Sequence, residues 1–315
     1  MYLKNTFNVF SSNFTLTFKL LFYKFIVASI CVGIGFATIL PLFEPVVYDM
    51  QQAGVFDTVA LLSQSVSDFT LFSDSVSAEL LLSITAIKEI LIYHSSSLMA
   101  IYLGFGVLLL IWYLCSSAID VAMCEVINFF CKQKTKRSLV ACFITRFVEV
   151  CKYTFFKLFL ILPVEIFIFI LAGAVYVFNI GGIFSTSLAI TVIYILIPLK
   201  NQFTCLFAPC LVNSSDGVFK SFKRGYALSL SKGVKVYSSN LFIMIMGIMF
   251  CTIASISSLG ALSLYSFAIY AVFYKCYTMT LYYNLAGVRF YSDSETIVTP
   301  YIVKVQEGDY VIDLL

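Results

Sequence analysis

The chain has 315 residues, of which 61% are apolar and 12% are charged. Soluble globular domains are about 45–50% apolar and about 25% charged, so the composition excludes a disordered chain, a coiled coil and an ordinary soluble enzyme. The net charge of +3 is too small to indicate a nucleic-acid partner. The composition predicts an all-α, polytopic helical membrane protein.

The first predicted elements are an amphipathic helix and the membrane span that follows it. Five phenylalanines recur along one helical face: Phe7, Phe10, Phe14, Phe18 and Phe22. Asparagine, serine and threonine avoid that face, which predicts a helix lying in the cytosolic interface. An uncharged apolar run over residues 25–43 follows Lys19 and Lys24 and predicts the first span, over about residues 20–43, because a span needs about 20 mostly apolar residues.

An acidic outer insertion over residues 44–94 precedes the second span, which is predicted at residues 95–119. Five apolar residues form a helical stripe within the insertion: Val76, Leu80, Ile84, Ile87 and Leu91. We expect a helix over residues 76–91 that either lies on the outer membrane surface or docks a protein partner.

Charge asymmetry sets the predicted orientation. Residues 44–97 hold seven carboxylates against one lysine, whereas residues 120–157 and 212–235 each carry a net charge of +4. Cytosolic segments are enriched in lysine and arginine, so these basic segments and both termini are predicted to be cytosolic. The basic residues expected at anionic headgroups are Lys132, Lys134, Lys136, Arg137, Lys220, Lys223 and Arg224.

Glu165 and Lys200 are ionisable residues within the third and fourth spans, which are predicted at residues 158–178 and 183–211. At 1.5 Å per residue, Glu165 lies roughly 12 Å inside the cytosolic edge, and Lys200 lies within about 4 Å of the inner boundary of a ~30 Å core. A lysine stem can cover that difference, so a structural ion pair is feasible. Two alternatives stay open: Lys200 snorkels to the interface while Glu165 is neutral, or the two residues serve transport.

Two prolines are predicted to interrupt the fourth span. Pro198 is expected to break the helix just before Lys200, and Pro209 is expected to end it. Broken spans line binding sites in transporters.

The uncharged run over residues 236–274 is 39 residues long, which exceeds one ordinary span. We predict two spans, at about residues 238–257 and 261–285, joined by a turn at residues 257–260. One long tilted helix is the alternative, and it would place the C-terminus outside.

Amphipathic spacing recurs before the third and fifth spans. The two sets are Val140, Phe143, Phe147 and Cys151, and Phe219, Phe222, Tyr226 and Leu230. This recurrence indicates three units, each an interfacial helix followed by two spans. Six spans also suggest a mitochondrial carrier, but the nearest match to that family's signature, residues 163–168, lacks the required cation.

No signature of catalysis occurs in the sequence. A single histidine excludes the H-E-x-x-H zinc motif, and no G-x-S-x-G, Walker A or G-x-G-x-x-G motif is present. The ten cysteines form no C-x-x-C pair and are interpreted as apolar filler. We therefore expect a protein that is not an enzyme and that uses no metal and no cofactor.

One stretch resembles a known family. It runs from Phe207-Ala208-Pro209 through Asp216-Gly217 to Ser231-Lys232-Gly233 and the fifth span. It resembles the bacterial integral membrane domains grouped with the membrane domain of glycerophosphodiester phosphodiesterases. The resemblance covers about residues 195–285 and implies a six-helix bundle in a bacterial cytoplasmic membrane, mostly of unknown role. It transfers no site residue, and the outer insertion departs from the family.

The predicted organisation is a six-span membrane domain over residues 1–288 and a cytosolic tail over residues 289–315. Two apolar runs in the tail, residues 301–305 and 310–312, predict a β-hairpin. The function predicted first is a non-enzymatic accessory, scaffold or lipid-interacting protein, with possible protein partners at the outer helix or the tail. The alternative is a small-solute or ion-coupled transporter that uses Glu165 and Lys200.

Overall fold

A computed structural model describes residues 2–60, 74–178, 183–214, 216–260, 262–293 and 295–300. Its long elements are α1 Tyr2–Ser12, α2 Thr15–Thr38, α3 Leu40–Gln52, α4 Asp74–Tyr93, α5 Ser95–Gln133, α6 Leu139–Thr145, α7 Phe147–Phe156, α8 Leu162–Phe178, α9 Ile183–Thr204, α10 Phe207–Asn213, α11 Val218–Ser231, α12 Gly233–Ser257 and α13 Ser263–Ala286. A π-helical turn, Lys157–Ile161, joins α7 to α8, and residues 55–60 are also helical. The short strands β1 Phe290–Tyr291 and β2 Ile297–Val298 pair antiparallel.

Within the described residues, five helical segments are long and apolar enough to cross a membrane. They are Thr15–Thr38, Ser95–Gln133, Phe147–Val177, Phe184–Asn213 and Gly233–Ser257. The sixth predicted span corresponds to α13, which is helical but is not among the five. Its six tyrosines lower its hydropathy, and its second half is enclosed by protein.

Several helix ends differ from the predicted span ends. The first span was predicted to reach residue 43, but α2 ends at Thr38 and α3 starts a new helix with Pro41 in its first turn. Proline lacks an amide hydrogen, so it is accommodated where a helix begins. Between α12 and α13, Gly260 adopts φ +89° and its amide donates to the carbonyl of Ser255 at 2.7 Å. The run over residues 236–274 is therefore two helices, with the turn where it was predicted.

The chain forms two compact units, and one of them comprises Phe25–Tyr113. Apolar side chains cover its long helices and are largely exposed, including Phe36 at 63% and Tyr102 at 75%. A Cβ atom at Gly104 would lie 3.2 Å from the side chain of Ile39, so the absence of a side chain lets the two helices approach closely. Exposed apolar surfaces and glycines at helix crossings are typical of spans packed in lipid.

The predicted outer helix is present in this unit as α4. Ser83 is buried and lies 2.7 Å from the hydroxyl of Thr58. Within the predicted stripe, Ile84 and Leu91 are exposed, while the side chains of Val76 and Leu80 lie outside the described part. Ile87 of the stripe lies one turn after Ser83 and is half-buried, so the described part of the packed face includes Ser83 and one stripe residue.

The other unit, residues up to Lys24 and from Leu114 onward, is built around α13. Every residue from Tyr277 to Tyr283 is buried, so protein surrounds this part of α13 on all sides. The hydroxyl of Tyr283 donates to Asn128 Oδ1 of α5, and Thr6 of α1 lies 2.8 Å from Thr280. A helix that is buried all round needs such partners for its polar groups.

Helix α11 packs into this unit through small residues. Ser221, Gly225 and Ser229 recur every four residues and are buried against α9 and α10. A Cβ atom at Gly225 would lie 3.0 Å from the backbone carbonyl carbon and oxygen of Leu206. Glycine is therefore required there by the close approach of two backbones.

The two other predicted amphipathic segments are divided by turns. The phenylalanine face of residues 7–22 is interrupted at residues 13–14, between α1 and α2, and the segment from Val140 to Cys151 is interrupted at Arg146. In α1 the buried residues include Thr6, Val9 and Phe10, while Phe7 is 60% exposed. The packed side of α1 therefore combines polar and apolar residues, and only part of the predicted phenylalanine face is exposed.

A short hairpin over residues 290–298 follows α13, although none was predicted there. Asp293 Oδ1 accepts hydrogen bonds from the amides of Glu295 at 2.8 Å and Thr296 at 2.6 Å. These bonds favour the ionised carboxylate and lower the pKa of Asp293. The predicted hairpin over residues 301–312 lies outside the described residues.

Candidate functional site: a buried ionic cluster

Asp120 of α5 lies between two lysines from other elements. Lys157 Nζ donates to Asp120 Oδ2 at 2.9 Å, and Lys275 Nζ lies 2.9 Å from Asp120 Oδ1. The three side chains are 13–19% exposed. Each carboxylate oxygen is thus engaged by one ammonium group, as buried charges require.

The local sequence explains the backbone at Lys157. Pro163 has no amide hydrogen, and its ring crowds the carbonyl group of Phe159 four residues earlier. The helix widens just before the proline, where the amide of Leu162 bonds to the carbonyl of Lys157. Lys157 is the first residue of this π-helical turn, and such turns are frequent at functional sites.

The structure brings Glu165 and Lys200 together. Lys200 Nζ donates to Glu165 Oε1 at 2.6 Å, and the two side chains are 15% and 24% exposed. The pair joins α8 to α9, which are packed neighbours. The rise per residue alone placed Glu165 and Lys200 at similar predicted depths in their spans. The contact shows that the lysine side chain covers the remaining distance between them.

The prolines do not act as predicted. Helix α9 continues through Pro198 and ends at Thr204, so the break falls at residues 205–206 instead. Proline inside a span is tolerated when neighbouring groups satisfy the freed carbonyl group. Pro209 lies in the first turn of α10, where its missing amide hydrogen costs nothing. It begins a helix rather than ending one.

A further lysine belongs to the same electrostatic environment. Lys24 of α2 is half-buried, and its charge interacts with those of Asp120 and Lys275. The hydroxyl of Tyr23 donates to the carbonyl of Cys115 at 2.9 Å and so fixes this turn of α2 against α5. The ionic cluster, as we call it, consists of Lys24, Asp120, Lys157, Glu165, Lys200 and Lys275.

A second ionic contact lies one turn beyond Asp120. The side chain of Glu125 is only 5% exposed and its Oε1 lies 3.3 Å from Nε of Arg146. Arg146 also donates to Glu149 at 2.7 Å and to the carbonyl of Val212 at 3.3 Å. Both Asp120 and Glu125 follow the predicted second span, residues 95–119, where solvated side chains would be expected, but both are buried in protein. Helix α5 continues to Gln133, and its last turns enter the protein core.

The predicted basic interface residues are all exposed. In the segment after α5, Arg137 lies 3.6 Å from the ring centre of Phe129, and Lys134 Nζ lies 4.5 Å from that of Tyr291. The other three, Lys220, Lys223 and Arg224, lie on α11. None of them contributes to the ionic cluster.

His94 directly precedes the second predicted span on the predicted outer side, where a histidine would be expected to face solvent. Its side chain is instead only 11% exposed, and Nε2 lies 2.8 Å from Asp49 Oδ2. The pair links α3 to the junction of α4 and α5. This contact was missed because Asp49 lies 45 residues away in sequence.

Among the described residues, no group of three or more histidine, cysteine, aspartate or glutamate side chains could hold a metal ion. The arrangement defines the molecule as a multi-pass helical membrane protein whose buried charges join its helices. Comparison with protein-family models, with curated proteins and with solved structures gave no match.

Proposed function

We propose that the protein is a non-enzymatic membrane accessory that binds anionic lipid at the cytosolic face. The observation that carries this proposal is the surface of α11. Its small residues are packed into the protein, and the rest of the helix combines exposed apolar and basic side chains.

The exposed side of α11 has two adjacent stripes. Phe219, Tyr226 and Leu230 are 68%, 40% and 45% exposed and share one flank of the helix. The basic residues Lys220, Lys223 and Arg224 occupy the next flank. At 100° per residue the apolar flank would face acyl chains while the basic flank reaches headgroups.

Electrostatics supports the same assignment. A lysine or arginine near an anionic leaflet contributes about 1 kcal/mol. The segment over residues 132–137 adds further exposed cations. In the predicted orientation both basic regions face the cytosolic leaflet, the more anionic one.

Lipid selectivity in reconstituted vesicles tests this proposal. Spin-labelled phosphatidylglycerol and phosphatidylcholine report which lipid is enriched at the protein surface. The triple variant K220Q/K223Q/R224Q should lose most of the preference for phosphatidylglycerol, and high salt should abolish the difference from the native protein. Lys88→Gln, on the predicted outer side, is the matched control. An unchanged preference in the triple variant would contradict the proposal.

The second candidate is transport, and the Glu165–Lys200 pair within the ionic cluster favours it. Transporters place ionisable residues in irregular helices, and the π-helical turn lies close to Glu165 in sequence. A Glu165→Gln variant that folds normally but has lost a pH-dependent flux in vesicles would support a role in transport. An unchanged flux, or loss of the folded protein, would assign the pair a structural role.

A further inference from the structure

The ionic cluster contains more cations than anions. Four lysines accompany two carboxylates, which leaves two positive charges in excess. Glu165 and Lys200 neutralise each other, so the excess belongs to the part of the cluster around Asp120. In that part, Asp120 contacts Lys157 and Lys275, and no described carboxylate lies within 4 Å of Lys24.

An excess of positive charge is unfavourable where the charged side chains are largely buried. The side chains that contact Asp120 are at most 19% exposed, so water screens them only in part. Lys200 interacts with Lys157 and Lys275 as a like charge, which adds to the repulsion. Partly buried cations without a counter-charge destabilise a fold, and an anion bound among them would remove the cost.

The position of the cluster indicates the chemistry of that anion. Lys24 directly precedes the uncharged run of the first predicted span, residues 25–43, and Lys157 precedes the third span, so both lie near the cytosolic boundary in the predicted orientation. Asp120 lies roughly 37 Å along α5 from Ser95, which is beyond a ~30 Å hydrocarbon core. Phosphate groups of lipids lie at this level, and lysine is a common phosphate ligand.

We infer that Lys157 and Lys275, which both contact Asp120, bind a phosphate group of an anionic phospholipid or of a phosphate-bearing solute together with the half-buried Lys24. The inference rests on the proposed function in one respect, the placement of the cluster at the cytosolic leaflet. It differs from the α11 surface because it is a single saturable site formed by three helical elements.

Lys24→Gln is the sharpest test, since Lys24 is the lysine of the three that lies outside the Asp120 ion pairs. Thermal unfolding of the detergent-purified chain would be followed while dioleoylphosphatidic acid, dioleoylphosphatidylcholine or sodium phosphate at matched ionic strength is added. We expect saturable stabilisation by phosphatidic acid or by phosphate, and the responding probe identifies the source. Loss of one cation should weaken the apparent affinity about fivefold.

Lys19→Gln is the matched control, because Lys19 is exposed on the same helix and the charge change is identical. It should bind like the native chain. Without ligand, Lys24→Gln should unfold at an equal or higher temperature, because the change removes the desolvation of a partly buried charge, which is the largest electrostatic effect on Lys24. The inference fails if no probe gives saturable stabilisation, if both variants lose affinity equally, or if ligand-free Lys24→Gln is less stable.

The two proposals can fail separately. The triple variant of α11 should retain saturable phosphate binding, whereas Lys24→Gln should retain the salt-dependent lipid preference. A saturable site without lipid preference would leave the α11 proposal wrong and this inference intact.

Discussion

Replacing Asp120 by asparagine removes the negative charge that holds Lys157 and Lys275 together. Both ammonium groups lie 2.9 Å from oxygens of one carboxylate, so they can be at most about 8 Å apart, and at an effective dielectric of about 20 they repel by at least about 2 kcal/mol. Removing one partner of a buried ion pair costs about 3–5 kcal/mol. We therefore expect Asp120→Asn to lower the free energy of unfolding by about 3–5 kcal/mol, although the asparagine side chain has nearly the same shape as that of aspartate.

The free energy can be measured by SDS titration in mixed micelles, followed by circular dichroism. Glu149→Gln is the control: Glu149 pairs with Arg146 but is 40% exposed, so its loss should cost about 1 kcal/mol or less. The double variant D120N/K275Q should recover part of the loss, since one of the repelling charges is gone. An Asp120→Asn protein within about 0.5 kcal/mol of the native chain would refute the reasoning.

Three further predictions concern other contacts. Gly225→Ala should destabilise the chain by about 1–3 kcal/mol in the same titration, because the Cβ of the alanine would meet backbone atoms at 3.0 Å. Gly173→Ala on α8 is the control and should not destabilise the chain, because a Cβ there meets open space. Arg146→Met leaves the nearly buried Glu125 without its cation and should cost about 3–5 kcal/mol, and preserved stability would contradict this. The lowered pKa of Asp293 means that its bonds support the hairpin above its ordinary pKa and are lost as pH falls through the folded value. Amide chemical shifts should report that loss in acid, and Asp293→Asn should remove this pH dependence.

Local sequence patterns predicted the helices and their depths, because hydropathy and the rise per residue act along one chain segment. They also placed Glu165 and Lys200 at similar predicted depths, and in the structure Lys200 Nζ lies 2.6 Å from Glu165 Oε1. They were less successful at helix ends. Residues 39–43 were assigned to the first span although the chain turns near Ile39, and the turn at residues 205–206, within the candidate span Phe184–Asn213, was not predicted.

The group around Asp120 could not be predicted, because its contacts depend on which helices are neighbours. Lys157 and Lys275 lie far from Asp120 in sequence; Lys157 directly precedes the third predicted span, and Lys275 falls within the sixth. The one signal available was that Lys275 falls inside a predicted span, where a charge requires a partner. The small-residue face of α11, Ser221 to Ser229, was not predicted either, because the spacing of the apolar residues in α11 marks a different face of the helix.

Composition and charge asymmetry predict that lipid surrounds this chain and that its basic segments lie on one side of the membrane. Epitope tags inserted after Lys134 and after Ala53, both in exposed turns, can be probed by antibody in sealed and permeabilised membrane vesicles. We expect the two tags to be accessible from opposite sides. Tags accessible from the same side, or a monodisperse protein released into buffer without detergent, would contradict it.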